Sequence, residues 1–211
     1  MKSVINLLRC LGLSVLAACA FAAETIGAEP GAHSASAMAT KAALASSRCP
    51  AFLNQPYRAL HATHEVNLCE LFAGKVLLLV NTASHCGYTK QFRALEALHQ
   101  RYHTEGLAVV GFASNDFNQE AADEEKSADI CFVNFGVTFT MLAPTHVKGP
   151  HANVTFNALA KQTQPPAWNF NKYLLSADGQ QVQYFPSKIT PDSAAIITAI
   201  ETALLARNGA E

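Results

Sequence analysis

"GKVLLLVNTASHCGYT", residues 74–89, decides the fold. Its first part, "KVLLLVNTA" (75–83), is an unbroken apolar run rich in Val and Leu. A run that short, with no polar alternation, reads as a strand buried on both faces. The second part places a single cysteine, Cys86, just beyond the strand. From Lys90 to His103 the period changes, and Phe92, Leu95, Leu98 and Tyr102 recur at helical spacing. Gly106 stops that helix. "LAVVGFAS" (107–114) is a second buried strand. Strand, helix and strand at this spacing form a parallel βαβ unit.

Downstream, residues 119–135 predict a helix, polar and acidic first and apolar later. "VTFTML" (137–142) predicts a third strand and residues 153–162 a short helix. Residues 172–185 predict an antiparallel hairpin turning at Asp178-Gly179. Residues 191–206 predict a closing helix, with Thr190 as N-cap and Pro191 at its first position. The order is that of an α/β, thioredoxin-like fold: a central mixed sheet flanked by helices, an N-terminal β-hairpin and one inserted helix.

The 211 residues suffice for one domain with a sizeable core. Half are hydrophobic and the formal net charge is -1, so the chain carries no basic footprint for nucleic acid. Residues 1–22 have the pattern of an export signal: Lys2 and Arg9, then an apolar core. Two endings stay open. Ala20-Phe21-Ala22 suits cleavage before Ala23, whereas "LAAC" (16–19) resembles a lipobox that would lipidate Cys19 and tether the protein to a membrane. The apolar stretch is shorter than the ~20 residues of a membrane span. Residues 23–48, rich in Ala, Ser and Gly, read as a linker, and the folded domain as 49–208. Either ending predicts an exported, periplasmic protein.

With Cys10 and Cys19 in the signal region, Cys49, Cys69, Cys86 and Cys131 remain. Cys49 and Cys69 flank the expected hairpin, and an oxidising compartment favours pairing them. Such a loop would stabilise by about 3 kcal/mol. Two buried free thiols are the alternative.

Cys86 falls where chemistry gathers in open α/β sheets, at the carboxyl end of a strand. It also precedes a helix, whose unpaired N–H groups and positive end favour thiolate over thiol. A dithiol redox site would need a second cysteine three residues on, and Thr89 stands there. A lone activated thiolate suits attack on a peroxide O–O bond, giving a sulfenic acid that a second thiol reduces. Buried cysteines are also common core residues, so position alone does not settle the role.

The 74–89 stretch resembles the signature of the glutathione peroxidase family: a hydrophobic strand, Asn-x-Ala-Ser, one residue, the peroxidatic residue, then Gly. "LAVVGFASNDFNQE" (107–120) and "WNFNKYLLSADGQ" (168–180) resemble two further blocks of that family, and "GVTF" (136–139) also matches. The likeness covers about residues 50–206. It implies a thiol-dependent peroxidase acting on hydrogen peroxide or on organic and lipid hydroperoxides, in defence against oxidative stress. It implies Cys86 as peroxidatic nucleophile, with Gln119, Trp168 and Asn169 as neutral donors around the sulfur. Such donors stabilise an anion without adding a charge that must itself be desolvated. Taken singly, Trp168 reads as an ordinary aromatic and Gln119 as a helix-start residue. The likeness also implies Cys131 as a resolving cysteine; the alternative is a core thiol among Ile130, Phe132 and Phe135. No cofactor or metal is implied. The implied reductant is a thioredoxin-like protein or glutathione.

Several positions depart from the family pattern. Asn115-Asp116-Phe117 stands for Asn-Gln-Phe, Ser114 for a cysteine, and Thr140 for a proline. The interval from Phe117 to Gln119 is one residue short. The segment before Trp168 is also short, which predicts a monomer with an open site. "HATHEV" (61–66) does not match a zinc motif, and His146 and His151 fall in a loop. The rival activities are thiol–disulfide exchange by Cys86 and Cys131, which would spare peroxide, and a non-catalytic redox sensor, which would react once without turnover.

Overall fold

The computed structural model describes residues 49–209. The expected export signal, with Cys10 and Cys19, and the expected linker lie outside the described residues. Two short strands, β1 (Pro56–Arg58) and β2 (Glu65–Asn67), pair antiparallel. Helix α1 (Leu68–Phe72) follows at once, and the Asn67 side chain accepts from the Cys69 and Glu70 N–H groups to cap it.

The central sheet holds β3 (Val76–Thr82), β4 (Leu107–Ala113), β5 (Thr140–Leu142), β6 (Lys172–Leu175) and β7 (Val182–Phe185), in the order β5-β4-β3-β6-β7. β3 runs parallel to β4, from Val76 opposite Leu107 to Thr82 opposite Ala113. It runs antiparallel to β6, with Val80 opposite Lys172. Every residue of β3 and β4 is buried, as an apolar run without alternation requires.

Two-residue periodicity divides β3 between two cores. Val76, Leu78 and Val80 pack with Phe92, Leu95 and Leu98 of α2 (Phe92–Tyr102) and with Ile196 and Ile200 of α5 (Ala194–Asn208). Leu77 and Leu79 face the other way, onto Leu68 and onto Phe156 and Leu159 of α4 (Val154–Gln162). Each fully buried side chain of this size contributes about 1.5–3 kcal/mol, so the doubly covered strand is the rigid base from which the Cys86 loop springs. βαβ followed by ββα, with helices on both faces, is the thioredoxin-like arrangement. Gly106 ends the α2 region at φ +108°, and Gly179 turns the β6–β7 hairpin at φ +67°.

Three elements differ from the sequence expectation. The helix expected over 119–135 begins only at Glu124. α3 spans Glu124–Ala128, capped by Asp123, and continues as a π-helical turn over Asp129–Asn134. Residues 119–121 make side-chain and loop contacts instead, described below. β5 is shorter than 137–142 because the Val137 N–H goes to the Cys131 carbonyl and the Thr138 N–H to Glu96. The closing helix is capped by Ser193, not Thr190. The Thr190 carbonyl first accepts from the Ser193 N–H, closing a turn, and the Ser193 side chain then accepts from Ile196.

Candidate active site

β3 ends at Thr82 and the chain turns through Ala83–Tyr88 into a 3-10 turn, Thr89–Gln91, that leads into α2. Thr89 closes this loop. Its hydroxyl accepts from the Cys86 N–H at 3.0 Å and donates to the Ala83 carbonyl at 2.9 Å. Cys86 is 8% exposed, and its sulfur accepts the Tyr88 N–H at 3.4 Å. Thr89, the residue that replaces a second cysteine, is therefore what shapes the loop around the first.

The register brings two further segments to this edge. β4 ends beside Thr82, so the segment after it lies next to the Cys86 loop, and the His85 N–H donates to the Gln119 carbonyl at 2.9 Å. Asn118, at φ +56°, turns the chain there; asparagine tolerates that left-handed conformation. β6 starts beside Val80, which places Trp168–Asn171 next to Asn81. Asn81, buried within the apolar strand, organises that segment. Its Nδ2 donates to the Trp168 carbonyl (3.0 Å) and its Oδ1 accepts from the Asn171 N–H (3.1 Å). Phe170, fully buried, is held at φ +63° with its ring edge-on to Phe92. That conformation is strained for an aromatic residue and is sustained by its surroundings.

The three blocks therefore meet. Asn169 Nδ2 donates to Gln119 Oε1 at 3.0 Å, although the interval before Gln119 is short. Trp168, 41% exposed, packs its indole at a tilt against Phe117 with centroids 5.3 Å apart. Asn169 is fully buried, yet its Oδ1 has no protein partner. Asp116, which departs from the family pattern, does not face this cluster's amides. Burial works against its charge, but bonds from His146 (2.6 Å) and from the Val147 and Lys148 N–H groups prevail and hold its carboxyl below the usual range.

Cys131 lies in the π turn, buried in the same core as Cys86 and not bonded to it. Burial first, and the Glu120 carboxylate second, push its thiol up to about 12. Its flanking Phe132 and Val133 are exposed, while Phe135 packs against the core. Cys49 and Cys69 form a disulfide with Cα atoms 5.7 Å apart, at the end of the sheet away from Cys86. A groove of about 560 Å³ between the hairpin and α5, lined by Gly74, Ala177, Ala199 and others, also lies at that far end. Among the described residues no group of three or more His, Cys, Asp or Glu is placed to hold a metal ion. His61 and Arg58 instead engage Glu124.

A model of the glutathione peroxidase family matches residues 56–160. A glutathione peroxidase of Lactococcus lactis is 39% identical over 127 residues, covering 57% of this chain and 81% of that one. This chain belongs to the glutathione peroxidase family. A protein of Synechocystis named hydroperoxy fatty acid reductase is 38% identical over 136 residues, 64% of this chain and 88% of that one. A solved structure described as Trgpx in apo form superposes with TM-score 0.58 at 28% identity, covering 74% of this chain and 97% of that one. The chain is accordingly a thiol-dependent peroxidase.

Some residues that shape this candidate site escape the sequence reading. Asn81 carries a visible signal, a polar residue in the middle of a doubly buried strand. Glu120 ends the 107–120 block, which assigns it no role. One of its carboxylate oxygens accepts from Ser84 and, at 2.5 Å, from Ser127. It thereby ties the loop of Cys86 to the helix of Cys131. Ser187, beneath Asn169, has no local signal at all.

Proposed function

We propose that Cys86 is the peroxidatic residue of this peroxidase, served by Gln119, Trp168 and Asn169. The Cys86 thiolate attacks the terminal oxygen of a hydroperoxide. The O–O bond breaks, the leaving alkoxide or hydroxide takes a proton, and Cys86 becomes a sulfenic acid. Asn169 Oδ1, buried beside Gln119 and without a protein partner, supports this reading as an acceptor for the hydroperoxide O–H. The indole N–H of Trp168 and the amide hydrogens not used in the Asn169–Gln119 bond are donors for the leaving oxygen.

Cys131 resolves. Its thiol attacks the sulfenic sulfur, the two sulfurs join, and the oxygen departs as water. A disulfide needs Cα atoms within about 7 Å, and the π turn is the segment that yields to allow it. A dithiol reductant, a thioredoxin-like protein in preference to glutathione, then exchanges with that disulfide and restores both thiols. The exposed face of Trp168, backed by Phe117, suits organic and lipid hydroperoxides as well as hydrogen peroxide, and the Synechocystis relative's name points the same way. The protein works outside the cytosol as a monomer, exported by residues 1–22 and tethered through Cys19 if the lipobox ending is used. The basic residues ahead of the apolar run and the Cys49–Cys69 pairing support export.

The test is steady-state peroxide consumption by the purified protein with either thioredoxin and its reductase or glutathione and its reductase. The expected result is turnover at least about tenfold faster with the dithiol protein. Faster turnover with glutathione, undiminished in Cys131→Ser, contradicts the resolving role.

A further inference from the structure

Ser187 lies in the loop between β7 and α5 and is buried. Its hydroxyl donates to the backbone carbonyl of Asn169 (2.6 Å) and accepts from Asn171 Nδ2 (3.0 Å). Its carbonyl accepts from Nε2 of Gln91 (2.8 Å), in the 3-10 turn that follows the Cys86 loop. The same carbonyl accepts from Nζ of Lys172 (3.3 Å), and that ammonium also donates to the Ile189 carbonyl (2.7 Å). One serine thus touches both the segment that carries Asn169 and the segment that follows Cys86. Lys172 clamps the loop that presents it.

Lys172 has no exposed surface, and no carboxylate among the described residues pairs with it. Burying an ammonium against carbonyls alone is a poor way to gain stability, and an apolar side chain of the same length would serve the core better. We propose that Lys172 is a positioning residue for the peroxide reaction: its two carbonyl bonds fix Ser187, and Ser187 fixes the Asn169 turn against the Gln91 end of the Cys86 loop. This inference rests on Asn169 belonging to the reacting site. Burial alone draws the Lys172 ammonium down to about 7, so its charge changes across neutral pH. The ionisable groups on the adjoining segments are Lys188 in the same loop and Asp192 ahead of α5. Neither bonds to it, so the carbonyls alone receive its protons.

The experiment compares the second-order rate of Cys86 oxidation by hydrogen peroxide, followed by rapid mixing and thiol loss, in the full chain and five variants. Lys172→Met and Ser187→Ala each slow the reaction by about tenfold, the scale of a small misplacement. The double variant is no slower than the worse single, because both break one linkage. The ratio of wild-type to Lys172→Met rates falls as pH rises through 7, since the neutral amine is the weaker donor. Tyr173→Phe removes a hydrogen bond to the Gln164 carbonyl from the opposite face of β6, and its rate stays within about twofold of wild type. A folded Lys172→Met at wild-type rate overturns the inference, as does a pH-independent ratio or additive slowing with Ser187→Ala. Should Lys172→Met fail to fold, a wild-type rate in Ser187→Ala overturns it equally. Asn169→Ala separates the levels. A slow Asn169→Ala beside a fast Lys172→Met rejects Lys172 alone, whereas a fast Asn169→Ala rejects the site on which the inference stands.

Discussion

Cys86 and Cys131 share one core and are similarly hidden, 8% and 3% exposed. Their neighbours differ in sign. The Cys86 sulfur receives a backbone N–H from Tyr88 and stands ahead of a helix. Cys131 sits inside a helical turn, and the nearest charge it feels is the Glu120 carboxylate. Burial is thus a weak guide to what a thiol does. In the proposed reaction the first is the nucleophile, and burial keeps the second protonated until its segment moves. Glu120 sits between them, bonded to Ser84 on one side and Ser127 on the other.

The comparison breaks most sharply at the sulfurs themselves. Cys86→Ser should lower peroxide consumption by at least about 10³-fold, the scale of losing a nucleophile. Cys131→Ser should leave the first oxidation within about twofold while cutting turnover with a dithiol reductant. Single-turnover and steady-state assays side by side distinguish the two. Equal loss of the first oxidation in both variants would erase the division of labour.

Smaller effects sharpen the environment of Cys86. Asn169→Ala and Trp168→Phe should slow its oxidation by about 10–10²-fold, as removal of one preorganised donor does. Trp168→Phe keeps an aromatic ring against Phe117 but removes the indole N–H, so its rate separates the donor from the apolar surface.

The smallest effects belong to Cys131. Glu120→Gln keeps an oxygen for Ser84 and Ser127 but removes the charge, so disulfide formation should speed several-fold near neutral pH. Stability carries the same signature. Between about pH 9 and 12 the unfolded thiol ionises while the folded one stays protonated. The folded state then binds more protons, and stability falls as pH rises, by up to about 1.4 kcal/mol per unit. Urea unfolding at pH 8, 9 and 10 should show this loss reduced in Cys131→Ser. An unchanged slope would mean that the thiol is not held protonated by the fold.

Much of this was legible in the sequence because it is local. The doubly apolar runs of β3 and β4, the helical spacing of Phe92, Leu95 and Leu98, and the Asp178-Gly179 turn each carry their own signal. Cys86 could be placed because strand, loop and helix are contiguous. The helix around Cys131 was expected to start too early, because Gln119 and Glu120 spend their groups on Asn169, Ser84 and Ser127, none of them close in sequence. The true cap of α5 was missed because Thr190 closes a turn before the helix begins. Ser187 and Lys172 are invisible as site residues until β6, β7 and the loop beyond them are folded beside β3.

The proposed chemistry turns on which sulfur meets the peroxide. Rapid mixing of the reduced protein with one equivalent of hydrogen peroxide, quenched for intact-mass and peptide-mass analysis, reads this directly. One oxygen atom should appear first on Cys86, then vanish as a Cys86–Cys131 disulfide forms, with Cys49–Cys69 untouched. Oxygen arriving first on Cys131, or oxidation of Cys86 no faster than that of a free thiol in solution, would contradict it.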